Sequence, residues 1–302
     1  EEHFYIAIDM LDEDWADDRI RFKLIKSLID TVRRFRAVKN VKVILALRED
    51  LLNKVLHLES VPGFQEEKYE SLYLILTWNK KQLRELVERR INLLIKRRYT
   101  KRDVSFSDVF TSYVDNQDPF EYLLDRTFMR PRDIIMFLNE CLQFAEGKPS
   151  ITATVIKKAE ETYSAKRLQS LATEWHSIYP NLKPVAQIFY GMKNCFEVSE
   201  LTRDVILEKY EQIPSNVKDR EADQITRLLD SLYTENANFG SVRNSMLREI
   251  YVTGLIGIKT GPTATTGWSR LTAAATLAPG DVRPSSIVCI HPMFHRALGI
   301  RY

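Results

Sequence analysis

A chain of 302 residues with 44% hydrophobic and 28% charged side chains is too long for one comfortable core and suits two or three compact units of the ordinary globular kind. No apolar run approaches the roughly 20 residues that a membrane span needs, which excludes a helical membrane protein. A net charge of +3 makes no global demand for nucleic acid. The three cysteines, Cys141, Cys195 and Cys289, lie far apart in mostly apolar surroundings, a pattern that favours buried thiols in a reducing cytoplasm over disulfides or a metal site. Glu1 is followed almost at once by a buried-looking strand, with neither signal peptide nor leader, so the start reads as a cut with more chain upstream.

Phe4 to Ile8 and Val41 to Leu47 are short continuous apolar runs, ending at Asp9 and Arg48, and both read as central parallel strands. Between them Ile20, Leu24, Ile25, Leu28, Ile29, Val32 and Phe35 repeat at helical spacing, which makes one strand-helix-strand unit. Leu72 to Leu76 supplies a third strand. From Asn79 the pattern turns helical, through Leu83, Leu86, Val87 and Ile91, then shorter helices near Ser107 to Val114 and Phe120 to Leu124. Pro131 suits a first helical turn, and its helix runs to the stop at Gly147; another spans about Thr152 to Trp175. Beyond Pro180, helices at Val185 to Met192, Val198 to Glu211, Asp219 to Tyr233 and Ser241 to Thr253 precede strands at Leu255 to Lys259 and Ile287 to Ile290. A long Gly, Thr and Pro-rich tip joins those strands, the arrangement of a winged helix, and a last helix at Met293 to Leu298 closes the chain.

Ligands of open parallel sheets bind beyond the carboxyl ends of the strands, where Asp9 and Arg48 stand. Ile8-Asp9-Met10-Leu11-Asp12-Glu13 resembles the Walker B segment of STAND-class signalling NTPases, an apolar strand running into D-x-x-D-E. That resemblance makes Asp9 the magnesium-side carboxylate and Asp12 or Glu13 the group that orients water. Arg48, directly after a strand, resembles the sensor 1 arginine that reaches a terminal phosphate; a positive charge opening a helix also opposes its dipole and so favours an anion partner. In Phe128-Met129-Arg130-Pro131-Arg132-Asp133, Arg132 is similar to the AAA+ sensor 2 arginine and Pro131 to the STAND lid proline that packs on adenine, with Arg130 a second phosphate candidate. Ile290-His291-Pro292 resembles the STAND histidine motif, in which the imidazole donates to the β-phosphate of ADP, but Pro292 replaces the usual Asp. Each segment also has a plainer reading: an acidic helix cap, a surface arginine, a proline at the first helical position, a structural histidine.

Taken in order, these segments resemble the carboxy-terminal part of prokaryotic P-loop ATPases of the STAND and AAA+ type. The implied fold is α/β, a partial parallel P-loop sheet (1–78), followed by a helical lid (79–165) and a winged-helix domain with a closing hairpin and helix (166–302), mostly α overall. The implied function is an ATP- or ADP-binding, Mg2+-dependent cytoplasmic switch that controls assembly or an effector in antiphage defence, as a homo-oligomer or with an effector protein. No G-x-x-x-x-G-K-[ST] occurs, so the phosphate loop is expected upstream of Glu1 and the fragment alone is expected to be inactive. Nucleic acid is a second class of partner, through the winged helix, whose Ser241 to Thr253 helix carries Arg243 and Arg248, or through Lys80 to Arg102, where ten basic residues face two acidic ones. A solvated helix face or an oligomer interface accounts for both basic segments as well. A replication-initiator or DNA-repair AAA+ protein, a winged-helix transcription regulator with a degenerate NTPase module, and a structural assembly domain all stay open.

Overall fold

A computed structural model describes residues 2–11, 13, 16, 18–48, 51–52, 55, 72–95, 101–213, 223–234, 237–261, 263–269, 277 and 280–302. About half of the chain is helical and both sheets are small, so the protein is mostly α. It divides into two units, residues 1–76 and 77–302.

In the first unit β1 (Phe4–Ile8) pairs in parallel with β2 (Val41–Leu45), in a register that sets Ile6 against Val43 and Ile8 against Leu45. Parallel neighbours need a crossover, and α1 (Asp18–Arg34) with a short 3-10 turn at Phe35–Ala37 provides it. Asn40, with φ of 65°, turns the chain into β2, and its carbonyl accepts the Phe4 amide at 2.8 Å. Ile25 and Ile29 of α1 bury against Leu51 and Val55, with Phe22, Leu45, Leu47 and Tyr73 packed around them. The sheet itself is not covered as a central parallel sheet should be: Tyr5 is 69% and Ile44 53% exposed. Leu72 to Leu76 corrects the expected third strand, since it joins no ladder among the described residues and leaves Leu74 85% exposed. An apolar run of this kind forms a strand only where an edge lies alongside to pair with it.

In the second unit α2 (Lys80–Ile95) starts at a reciprocal cap, the Asn79 and Gln82 side chains each accepting the other's backbone amide at 2.9 Å, and buries Leu83, Val87 and Ile91. Short helices α3 (Phe106–Val109) and α4 (Pro119–Leu124) lead to α5 (Pro131–Phe144) and α6 (Ala153–Glu174), which pack on each other with Phe137 stacked 4.4 Å from Tyr163. Then come α7 (Leu182–Ala186), which runs on into a 3-10 turn, β3 (Cys195–Glu197), α8 (Arg203–Glu211), α9 (Gln224–Ser231), α10 (Phe239–Thr253), β4 (Ile256–Lys259) and β5 (Ile287–Ile290). The sheet is antiparallel in the order β3, β5, β4. Gly254 ends α10 in the left-handed region, at φ of 87°. Gly257 lets the Trp268 ring lie on β4, because a Cβ there would come within 2.7 Å of that ring and of Thr266 Cγ2. One continuous core runs from Leu83 to Ile300, and the 165/166 border expected from sequence falls inside α6.

Three further expectations change. β3 occupies the stretch between two expected helices, and the second of them starts later than expected: Val198 opens only a 3-10 turn, and α8 begins at Arg203. The closing helix is a single 3-10 turn, Pro292–Phe294, followed by turns. Cys195 and Cys289 are not thiols but a disulfide, joined across the β3–β5 register where their Cα atoms stand 4.1 Å apart; Cys141 is a buried free thiol. Sequence spacing hid the pair because 94 residues separate its members. Among the described residues no helix is long and apolar enough to cross a membrane.

Candidate functional site

In the first unit the carboxyl end of the sheet is formed by the residues that follow Ile8 and Leu45. Asp9 follows β1 on the surface, and its Oδ1 accepts the amide of Met10 at 2.8 Å while Met10 takes a left-handed turn at φ of 63°. The Ala46 amide donates to Ile8 at 2.9 Å, so the ladder continues to the end of both strands and Arg48 emerges two residues later, exposed, at the same edge. Glu13 is exposed, with its carbonyl accepting Arg21 Nη1 at 2.9 Å and its amide reaching Met10 O at 3.4 Å. The structure thus brings Asp9, Glu13 and Arg48 to one end of one small sheet. Asp12 lies outside the described residues.

In the second unit the Phe128 to Asp133 segment is a built helix start. Met129 turns at φ of 54°, Pro131 opens α5, and the buried carboxylate of Asp133 reaches back to accept the Phe128 amide at 3.0 Å. Asp133 also meets Arg167 of α6 at 3.2 Å, and burial pushes its carboxyl above the usual range in spite of that guanidinium. Arg130 packs over the Phe128 ring and stands 3.6 Å from Glu174. Pro131 is half-buried, whereas Arg132 is exposed and makes no hydrogen bond or ion pair with described residues.

His291 is 2% exposed. Its Nδ1 accepts the Met293 amide at 3.2 Å, capping the turn that follows β5, and its ring sits edge-on to Phe128 and to Trp268, at 4.8 Å from each centroid. Burial, with smaller contributions from His295 and Arg126, pushes its pKa down to about 3, so the imidazole is neutral. Two motifs 163 positions apart, at Phe128 and His291, therefore touch through aromatic rings rather than through charge.

Sequence reasoning passed over the charged network inside α6. Glu160, 1% exposed, accepts the Tyr122 hydroxyl at 2.7 Å and Arg126 Nε at 2.6 Å, and lies 3.3 Å from Arg296 Nε. The Arg126 guanidinium stands over the Tyr122 ring, the Tyr163 hydroxyl donates to the Arg126 carbonyl at 2.7 Å, and Ser164 Oγ accepts the Ala297 amide at 3.0 Å. These contacts tie α4 and α6 to the last residues of the chain. The signal was present: Glu160, Ser164 and Arg167 recur at helical spacing on the stripe that also carries Ile156 and Tyr163. The basic segments read differently in three dimensions as well. Arg84 pairs with Glu88 and covers the Phe120 ring, Lys80 pairs with Glu121, and Arg243 is buried rather than solvated.

Residues 81–172, which run from α2 into α6, match the family described as the FunZ-associated C-terminal helical domain. The chain is 23% identical over 257 residues to the putative transposon gamma-delta 80.3 kDa protein of Escherichia coli (strain K12), covering 84% of this chain and 34% of that protein. It is 26% identical over 144 residues to Allergen Alt a 2 of Alternaria alternata, covering 47% of this chain and 73% of that protein. The chain thus spans about a third of the transposon protein's length. No solved structure matches it significantly.

Proposed function

We propose that this chain is the carboxy-terminal part of an ATP-binding and hydrolysing switch, with Asp9 on the magnesium side, Asp12 or Glu13 orienting water, and Arg48 meeting the terminal phosphate. The supporting observation is the placement of Asp9, Glu13 and Arg48 at the carboxyl end of two adjacent parallel strands, where such sheets hold their ligands. The exposed side chains of β1 and β2 and the run at Leu72 to Leu76, which joins no ladder among the described residues, are in keeping with a larger sheet, whose further strands and phosphate loop come from other parts of a longer protein. In this reading the second unit comprises the lid and a winged helix, for which the β3-β5-β4 order after several helices is the support. Nucleotide closes the lid through Arg130, Pro131 and Arg132 and exposes an assembly or effector surface.

The test is magnesium-dependent ATP turnover by the full-length protein. Asp9→Ala abolishes turnover, while Glu13→Gln or Asp12→Asn retains ATP binding and slows hydrolysis. Unchanged turnover in Asp9→Ala overturns the reading. A second reading, action on DNA through the winged helix, draws support from the likeness to a protein named for a transposon. Binding to duplex DNA that weakens steeply with salt distinguishes it from control of a protein effector.

A further inference from the structure

One arginine of the second unit packs into the fold without a counter-charge among the described residues. Arg243 sits in the second turn of α10, is 8% exposed, and its Nε is buried without an acceptor. No carboxylate and no carbonyl among the described residues pairs with it; its one contact of note is the Phe239 ring, over which the guanidinium carbon stands at 5.2 Å. Phe239 is the first residue of α10, so the side chain folds back along the helix axis and lays its charge against the amino-terminal turn. Burial lowers the pKa of this group, with no acidic neighbour to oppose it. A buried Nε–H without an acceptor is costly, and an anion beside the guanidinium would supply that acceptor.

The same turn offers the other donors that an oxyanion requires. The Asn238 side chain caps the helix by accepting the Ser241 amide at 3.1 Å, but the amides of Phe239 and Gly240 meet no acceptor among the described residues. Ser241 is exposed at the third helical position and adds a hydroxyl. Gly240 presents no side chain, and even a Cβ there would find only Asn238 Oδ1, at 3.6 Å. We infer that the amino-terminal turn of α10, with Arg243, the amides of Phe239 and Gly240 and the Ser241 hydroxyl, is a binding site for a phosphate group. A guanidinium, two amides and a hydroxyl suit the several oxygens of a phosphate better than the two of a carboxylate, and the helix dipole adds to the attraction. The site lies wholly in the second unit and does not depend on the nucleotide-switch reading.

The phosphate can be inorganic or belong to a polynucleotide backbone, and the experiment separates the two. Thermal unfolding of the 302-residue chain is followed in inorganic phosphate and in chloride at matched ionic strength, for the natural sequence, Arg243→Met and Ser241→Ala. Phosphate raises the midpoint of the natural chain; Arg243→Met binds it about tenfold more weakly and Ser241→Ala roughly threefold, from the loss of a charge-assisted and a neutral hydrogen bond respectively. Without phosphate, Arg243→Met melts no lower than the natural chain, because it removes the unpaired charge and keeps most of the side-chain volume. A second arm follows fluorescence anisotropy of a labelled DNA duplex. Weakening of duplex binding in both variants assigns the phosphate to a polynucleotide, and a response confined to inorganic phosphate assigns it to the small ion. The inference is overturned if phosphate shifts all three proteins equally or shifts none of them. Should Arg243→Met fail to fold, an unchanged phosphate response in Ser241→Ala, which alters only an exposed hydroxyl, overturns it too.

Discussion

Replacing Glu160 by Gln keeps the volume of the side chain and removes its charge at the centre of the α6 network. The carboxylate now accepts from Tyr122, Arg126 and Arg296 together. An amide offers one acceptor oxygen, so its NH2 group must face either the Tyr122 hydroxyl or the Arg126 guanidinium, and one buried donor loses its acceptor. Arg126, 7% exposed, is left without a counter-charge, whereas the Arg296 side chain keeps 35% of its exposure and is rescued in part by water. Breaking one side of a buried ion pair costs about 3–5 kcal/mol. For the unit of residues 77–302 each kcal/mol moves the melting temperature by about 2–4 °C, so the variant is expected to melt about 6–20 °C lower. Thermal and urea unfolding followed by circular dichroism measure this directly. Glu160→Leu combined with Arg126→Met, which removes both charges, is expected to recover most of the loss. A loss below about 1 kcal/mol in Glu160→Gln would refute the argument, because it would mean that water already reaches the pair.

His291 sets an acid limit. Its folded pKa of about 3 lies below the unfolded value, so the unfolded chain takes up a proton that the folded one refuses; its stabilising contribution is complete above pH 6.5 and falls as the pH drops towards 3. His291→Phe, which keeps an aromatic ring between Phe128 and Trp268, is expected to flatten the dependence of unfolding free energy on pH between 4 and 6 by about 1.4 kcal/mol per pH unit; an unchanged slope counts against the buried neutral imidazole. The Cys195–Cys289 disulfide closes a loop of 94 residues, so its reduction or the change Cys195→Ser should cost about 4–5 kcal/mol. Under denaturing, non-reducing conditions only Cys141 should titrate as a thiol, and detection of three thiols would exclude the bridge. Gly257→Ala drives a methyl into Trp268 and Thr266, with an expected cost of about 1–3 kcal/mol and a change in tryptophan fluorescence; full stability would show that the ring does not lie on β4.

Sequence by itself determined the parts of this protein that depend on local spacing. The strand-helix-strand order of the first 45 residues, the start of α5 at Pro131, the cap of α6 at Thr152 and the stripe of α2 all follow from side chains at most four positions apart. Asp9 and Arg48 could be placed at strand ends because an apolar run shows where it stops. Tertiary structure alone decided whatever required a distant partner. Leu72 to Leu76 has the composition of a strand, yet a ladder exists only where a second edge lies beside it. Cys195 and Cys289 became a bridge because β3 and β5 align them, which no spacing in the sequence discloses. Arg243 looked like one charge on a solvated face, and His291 like a group aimed at phosphate; packing buried both, the first without a counter-charge and the second among aromatic rings. A side chain's charge is written in the sequence, but its environment is set by residues far along the chain, and the environment decides whether that charge is kept, paired or suppressed.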